Sequence, residues 1–381
     1  STSDIESMTV LKDAASNALY GVRGANGVII IKTKPGKIGK PTISADYYES
    51  FTRFTKMVDL TDGVSYMKAA NEALRNDGLA TKFTDSQIQN TILGKDQYLY
   101  PNVDWLNEIF NDWGHNRRVN VNVRGGSEKV SYYASVSYFN ETGMTVTDKS
   151  INTFDSKMKY SRYNFTTNLS IDVTPTTKVE IGAQGYLGEG NYPAISSKDL
   201  YNAAMSISPV EYPKMFFING EAYIPGRSTN NNFNNPYSQA TRRGYDNLTK
   251  NQIYSNLRIT QDLDMLTKGL KLTAMYAFDV YNEIHVHQDR AESTYYFLDT
   301  NVPYDLDGQP ILQRIYTGTN VLSYKQETSG NKKTYLEASL NYDRAFGDHR
   351  VSGLFLFNQQ QKLLYPKGTL EDAIPYRMMG I

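Results

Sequence analysis

From Arg162 to Val173 the chain alternates without a break. Tyr163, Phe165, Thr167, Leu169, Ile171 and Val173 fall on one side, and Arg162, Asn164, Thr166, Asn168, Ser170 and Asp172 on the other. A period of two marks a strand with one apolar and one polar face. The pattern recurs along the chain. Over 116–126, Val119, Val121 and Val123 oppose Asn120, Asn122 and Arg124. Over 251–264, Ile253, Leu257, Ile259 and Leu263 oppose Gln252, Asn256, Arg258, Thr260 and Asp262. Strands 269–284 (Leu270, Leu272, Ala274, Tyr276, Phe278, Val280) and 333–346 (Leu336, Ala338, Leu340, Tyr342) read the same way. About nine such strands are predicted after residue 40, most reaching the roughly 9–11 residues that a tilted strand needs to cross a bilayer.

The connections carry a second regularity, because short and long ones alternate. The short ones are Gly125–Glu128, Thr174–Thr177, Thr267–Gly269 and Gly347–His349, each dense in turn formers. The long ones run over about 53–115, 140–157, 188–250, 285–332 and 363–376. Short turns at one end and long loops at the other are the habit of an outer-membrane barrel, and a soluble sandwich has no reason for that asymmetry. Inside the first long loop, Thr61 to Gly78 reads as a Thr-capped helix with Met67, Ala70 and Leu74 on one face. Thr84 to Gln87 has the form of a capping box for a second helix.

Composition sharpens this picture. Mean hydropathy is -0.53, and the longest aliphatic run, Val28 to Ile31, is too short for a membrane helix. A transmembrane barrel gives such averages because lipid-facing and lumen-facing residues cancel. Tyr is abundant, 30 against 15 Phe and 2 Trp, which suits surfaces that are apolar at one end and wet at the other. With 40 basic and 40 acidic residues there is no electrostatic case for nucleic acid. The absence of Cys excludes a disulfide scaffold and thiol chemistry.

Residues 4–34 read differently: strand, short helix, glycine-rich turn, strand. Asp13 is placed to cap a helix through about Tyr20, Gly21 to stop it, and Gly24 and Gly27 to turn the chain into a strand over 28–33. A phosphate-binding loop needs the opposite order, with glycines leading into a helix. Arg23 on this turn either pairs with a carboxylate or stays exposed. Asp305–Gly308 lacks the further oxygen ligands of a calcium loop. His285 and His287 share a strand face but have no third ligand nearby, so no metal or cofactor is expected. No nucleophile elbow or zinc-protease helix occurs, so the chain is not expected to be an enzyme.

Two groups of aromatics stand out. Tyr132, Tyr133, Tyr138 and Phe139 read as an interfacial girdle. Phe216, Phe217, Phe233, Tyr237, Tyr295, Tyr296 and Phe297 fall outside the predicted strands. They can stack on sugar rings or grip peptide side chains, pack loops together, or meet a lid protein.

The Val22-Arg-Gly-Ala-Asn26-Gly-Val28 wording resembles the end of the plug domain of SusC/RagA-like TonB-dependent outer-membrane transporters. Segments 39–48, 104–110, 125–132, 352–357 and 374–377 resemble that family in the expected order. The resemblance implies an all-β transmembrane antiparallel barrel of about 22 strands in full, with an α+β plug. Residues 1–36 would be the rear of the plug and 37–381 the first part of the barrel. It assigns Asp13, Gly21, Arg23, Gly24, Asn26 and Gly27 to the plug motif. It further implies a Gram-negative outer membrane and a SusD-like surface lipoprotein as lid. The driver would be TonB, acting through residues absent here, and the cargo oligosaccharides or oligopeptides. Dimers of such pairs are also implied. No secretory signal opens the chain, and about nine strands cannot close a wide barrel, so a longer parent chain is expected. The competing readings are a passive adhesin-like β-protein and an unplugged porin.

Overall fold

The computed structural model describes residues 2–12, 26–227, 229, 235–365 and the backbone of 376–380. β1 (Ile5–Leu11) and β2 (Val28–Thr33) form an antiparallel pair of their own. The wall begins with β3 (Gly39–Thr52), β4 (Gly114–Gly126), β5 (Val130–Thr142), β6 (Lys159–Thr174) and β7 (Thr177–Pro193). Short β8 (Phe216–Ile218) and β9 (Glu221–Pro225) follow in a loop, then the wall resumes with β10 (Gly244–Asp262) and β11 (Leu270–Asp289). After β12 (Thr294–Phe297) and β13 (Leu312–Tyr316), again in a loop, it continues with β14 (Lys325–Phe346), β15 (His349–Leu364) and β16 (Tyr376–Gly380). Ten strands thus form one antiparallel meander in chain order, from β3 to β16. The ladder does not close on itself among the described residues.

Every turn at one end is short, as the turn residues predict. Gly347, at φ 59°, opens the tight β14–β15 turn in a conformation that suits glycine. At the other end lie the loops 53–113, 143–158, 194–243 and 290–324. All four are shorter than the alternation predicted, 194–243 and 290–324 the most, because the strands beside them run further. β14 starts at Lys325 rather than 333, and β11 ends at Asp289 rather than 284. The added stretch, Lys325-Gln-Glu-Thr-Ser-Gly-Asn-Lys-Lys, is polar on both faces. It continues the backbone ladder with β11, and without an apolar face it has no period to detect.

The wall is inside out relative to a soluble sheet. On one face Asn120, Ser135, Ser137 and Thr166 are 1–4% exposed. On the other, Val121, Val136, Tyr163, Ile181, Leu187 and Phe355 are 42–62% exposed. Water would penalise that apolar face heavily, whereas hydrocarbon does not. A conventional core exists only above the wall among the described residues. Trp105, Leu106, Ile109, Leu200, Ala204, Met215 and Ile224 bury each other between the loops. They come from α3 (Trp105–Ile109), the loop helix Ser197–Ser206, β9 and, for Met215, the residue just ahead of β8. Two further α-helices, α1 (Gly63–Asn76) and α2 (Asp85–Ile92), precede α3 in the same loop. The cap of α1 is Asp62, one residue later than the Thr predicted, and its carboxylate accepts from the Val64 and Ser65 N–H groups. The predicted Thr84–Gln87 capping box forms at α2.

Candidate functional site

The polar face of the wall is a seat for the β1–β2 hairpin. Asp4, 2% exposed, reaches the wall just ahead of β1. Its carboxylate accepts from the Tyr133 hydroxyl at 2.7 Å and the Thr166 hydroxyl at 3.1 Å, while its carbonyl accepts from the Lys34 N–H at 2.8 Å. The Asn168 amide donates to the Thr33 hydroxyl and the Lys34 carbonyl at 2.9 and 2.8 Å. Arg118 donates to Thr2 and Ser3. Three successive strands, β4 to β6, therefore hold both ends of the hairpin. Tyr133, assigned by sequence to an interfacial girdle, points to the interior instead. Its even-spaced partners Ser135 and Ser137 carried that signal, since they mark its face as the polar one.

Of the predicted plug residues, Gly27 stands at φ 89° just before β2, and a Cβ there would meet the Leu11 carbonyl at 3.0 Å. Asn26 is exposed beside it. Asp13, Gly21, Arg23 and Gly24, with the helix expected from Asp13 to Tyr20, lie outside the described residues.

The loop aromatics divide. Phe216 and Phe297 sit in β8 and β12, not in irregular loop, and form a small four-stranded sheet in the order β13-β12-β9-β8. They are 0% and 3% exposed and meet edge to face at 5.4 Å. Tyr98 and Tyr304 extend the cluster, and the Tyr304 hydroxyl donates to Asp96 at 2.6 Å. Tyr237, in the helix Pro236–Thr241, is buried and donates to Asp148 at 2.7 Å. Burial, reinforced by the Asp148 carboxylate, pushes that phenol well above its usual range, so it stays a donor. These three side chains tie loops to one another. Phe217 is 44% exposed, and Tyr295 and Tyr296 are half-buried, with the Arg227 guanidinium 4.2 Å over the Tyr296 ring. Phe233 lies outside the described residues.

His285 and His287 do share a face, both against Asp246 on β10. Among the described residues no three His, Cys, Asp or Glu side chains converge in metal-holding geometry.

No protein-family model matches the chain. It is 30% identical over 213 residues to TonB-dependent receptor P26 of Formosa agariphila, covering 53% of this chain and 19% of that protein. It is 34% identical over 145 residues to TonB-dependent receptor SusC of Bacteroides thetaiotaomicron, covering 38% of this chain and 13% of that one. The solved structure of the RagAB peptide transporter superposes with TM-score 0.66 at 19% identity, over 99% of this chain and 43% of that chain. The chain is SusC/RagA-like. Its wall is that of an outer-membrane TonB-dependent β-barrel, of which the described strands form an open part. The matched stretches span about a fifth or less of the curated relatives, and the SusC/RagA-like chain spans less than half of the RagAB chain it resembles.

The seat makes a prediction for this SusC/RagA-like wall. Asp4→Ala strands the buried Tyr133 and Thr166 hydroxyls, at about 1–3 kcal/mol for each unsatisfied group. Limited proteolysis of the full-length protein in detergent should then cut the 34–38 linker faster, with the barrel intact. An unchanged cleavage rate would remove Asp4 from the anchor.

Proposed function

We propose that this SusC/RagA-like chain serves TonB-dependent import of oligosaccharides or oligopeptides across the outer membrane. It works as a transporter rather than an enzyme, with a SusD-like surface lipoprotein closing over its loops. The observation that carries the reading is the β1–β2 hairpin fastened to the polar face of a wall whose other face is apolar. A hairpin so placed blocks a lumen, and a blocked lumen calls for an energised opening. Residues 1–36 are the rear of the plug and 37–381 its surrounding wall. Asn26 and Gly27 shape the turn into β2. Asp13, Gly21, Arg23 and Gly24 belong to the same motif.

Cargo binding at the loop mouth shifts the plug toward a TonB-accessible state, by as much as the cargo prefers that state. Phe217, Tyr295 and Tyr296 are the loop aromatics available to cargo or lid. Phe216, Tyr237 and Phe297 support them from below, and Phe233 is kept as a candidate cargo or lid contact. Because Asp4, Thr33 and Lys34 are bound to the wall, the rear of the plug stays while the front moves. The test is planar-bilayer recording of the full-length barrel with the plug removed through Lys34. Large steady conductance is expected, and a sealed membrane would sink the assignment.

A further inference from the structure

At the mouth of the lumen a small cavity of about 160 Å³ lies between strand ends. It is lined by Glu141 at the end of β5, Tyr160 at the start of β6, Tyr192 at the end of β7, and Gly143 and Met158 from the loop between β5 and β6. Glu141 and Tyr160 are cross-strand partners. Glu141 shares the register parity of Tyr133 and Ser135, whose side chains contact the hairpin and the polar interior, so the cavity faces the lumen.

The rings lie over bare backbone. A Cβ at Gly190 would collide with the Tyr192 ring, and a Cβ at Gly188 would sit 2.9 Å from the Tyr160 hydroxyl. Glycine at these two places lets both tyrosines lie against β7 and present their faces. Met158 adds a polarizable thioether. Among the described residues Glu141 makes no ion pair, whereas further along this wall Lys250 pairs with Glu283 at 3.6 Å. Arg162, two residues on from Tyr160, is occupied on the Tyr186 ring at 3.9 Å and by Asn164 at 2.8 Å.

Two π faces, a thioether and one unmatched carboxylate around a small hollow select a cation. We infer that the Glu141–Tyr160–Tyr192 hollow is a cargo subsite for an alkylammonium or guanidinium group, carried as a Lys or Arg side chain on an oligopeptide. The inference rests on the import reading and narrows its cargo. A neutral sugar would use the rings but leave the carboxylate without its counter-charge.

The test is binding to the full-length detergent-solubilised protein with three probes: hexa-alanine, the same hexapeptide with one central lysine, and a neutral α-1,4-linked glucohexaose. The lysine peptide should bind about tenfold more tightly than hexa-alanine, the scale of one desolvated cation–aromatic contact. Glu141→Gln and Tyr192→Ala should each erase that preference while hexa-alanine affinity holds, and Tyr192→Phe should keep it. Equal affinity for the two peptides, or a preference that survives Glu141→Gln, overturns the subsite. So does a Tyr192→Ala effect confined to the glucohexaose, which would make the hollow a sugar platform, and so does failure of all three probes to bind. The conductance of the plug-deleted barrel judges the import reading separately, whatever these affinities show.

Discussion

Glu292→Ala is expected to loosen the long-loop assembly by about 3–5 kcal/mol, the cost of breaking a buried ion pair from one side. The Glu292 side chain is 5% exposed, and it takes a two-pronged contact from Arg242 at 2.7 and 2.8 Å and a third from Arg290 at 3.0 Å. Burial lowers the pKa of Arg290, the neighbouring Arg242 charge lowers it further, and Glu292 is what opposes both. Removing the carboxylate leaves two guanidinium groups, 13% and 10% exposed, with no counter-charge, only backbone carbonyls and, for Arg290, the Phe154 ring at 5.3 Å. Those carbonyls belong to different loops. Arg242 also donates to Ile151 at 2.8 Å, and Arg290 to Asn320 at 2.9 Å. The variant should be nicked by protease in 143–158, 194–243 and 290–324 under conditions where the wild type is intact. The strands should keep their protection. Identical digestion patterns would show that the clamp does not hold the loops.

Val136→Arg should cost about 2–4 kcal/mol, because it drives a charge into the lipid-facing side near mid-strand. Val136 is 62% exposed, so in water the same change would be close to neutral. The control is Gln184→Arg, exposed on the opposite, lumen-facing side, with an expected effect within about 0.5 kcal/mol. Urea unfolding from lipid vesicles measures both. Equal costs for the two variants would contradict the orientation of the wall.

The wall was legible wherever a bilayer imposes two different solvents on one strand. Arg162 to Val173 announces itself because Phe165 must meet lipid while Thr166 must not. Above the membrane that constraint lapses, so Lys325 to Lys333 continues β14 without any alternation to betray it. The hairpin ends were legible too, but their docking was not, since no local pattern says that Asp4 meets Tyr133, 129 positions away. Loop aromatics posed the same difficulty. Phe216 and Phe217 are neighbours of like chemistry, and only the pairing of β8 with β9 decides that one is enclosed and the other is exposed. The Asp62 cap of α1 was misplaced by one residue, because Thr61 and Asp62 are both good caps and only backbone geometry chooses between them.

The surplus length of β14 has a mechanical meaning. Its 22 residues, tilted by about 40°, rise about 55 Å, roughly twice the apolar band of such a wall. The upper half is a stiff hydrogen-bonded chimney standing in water. Loops anchored on its rim stand clear of the lipid, so a rearrangement among them would neither stretch nor thin the surrounding membrane.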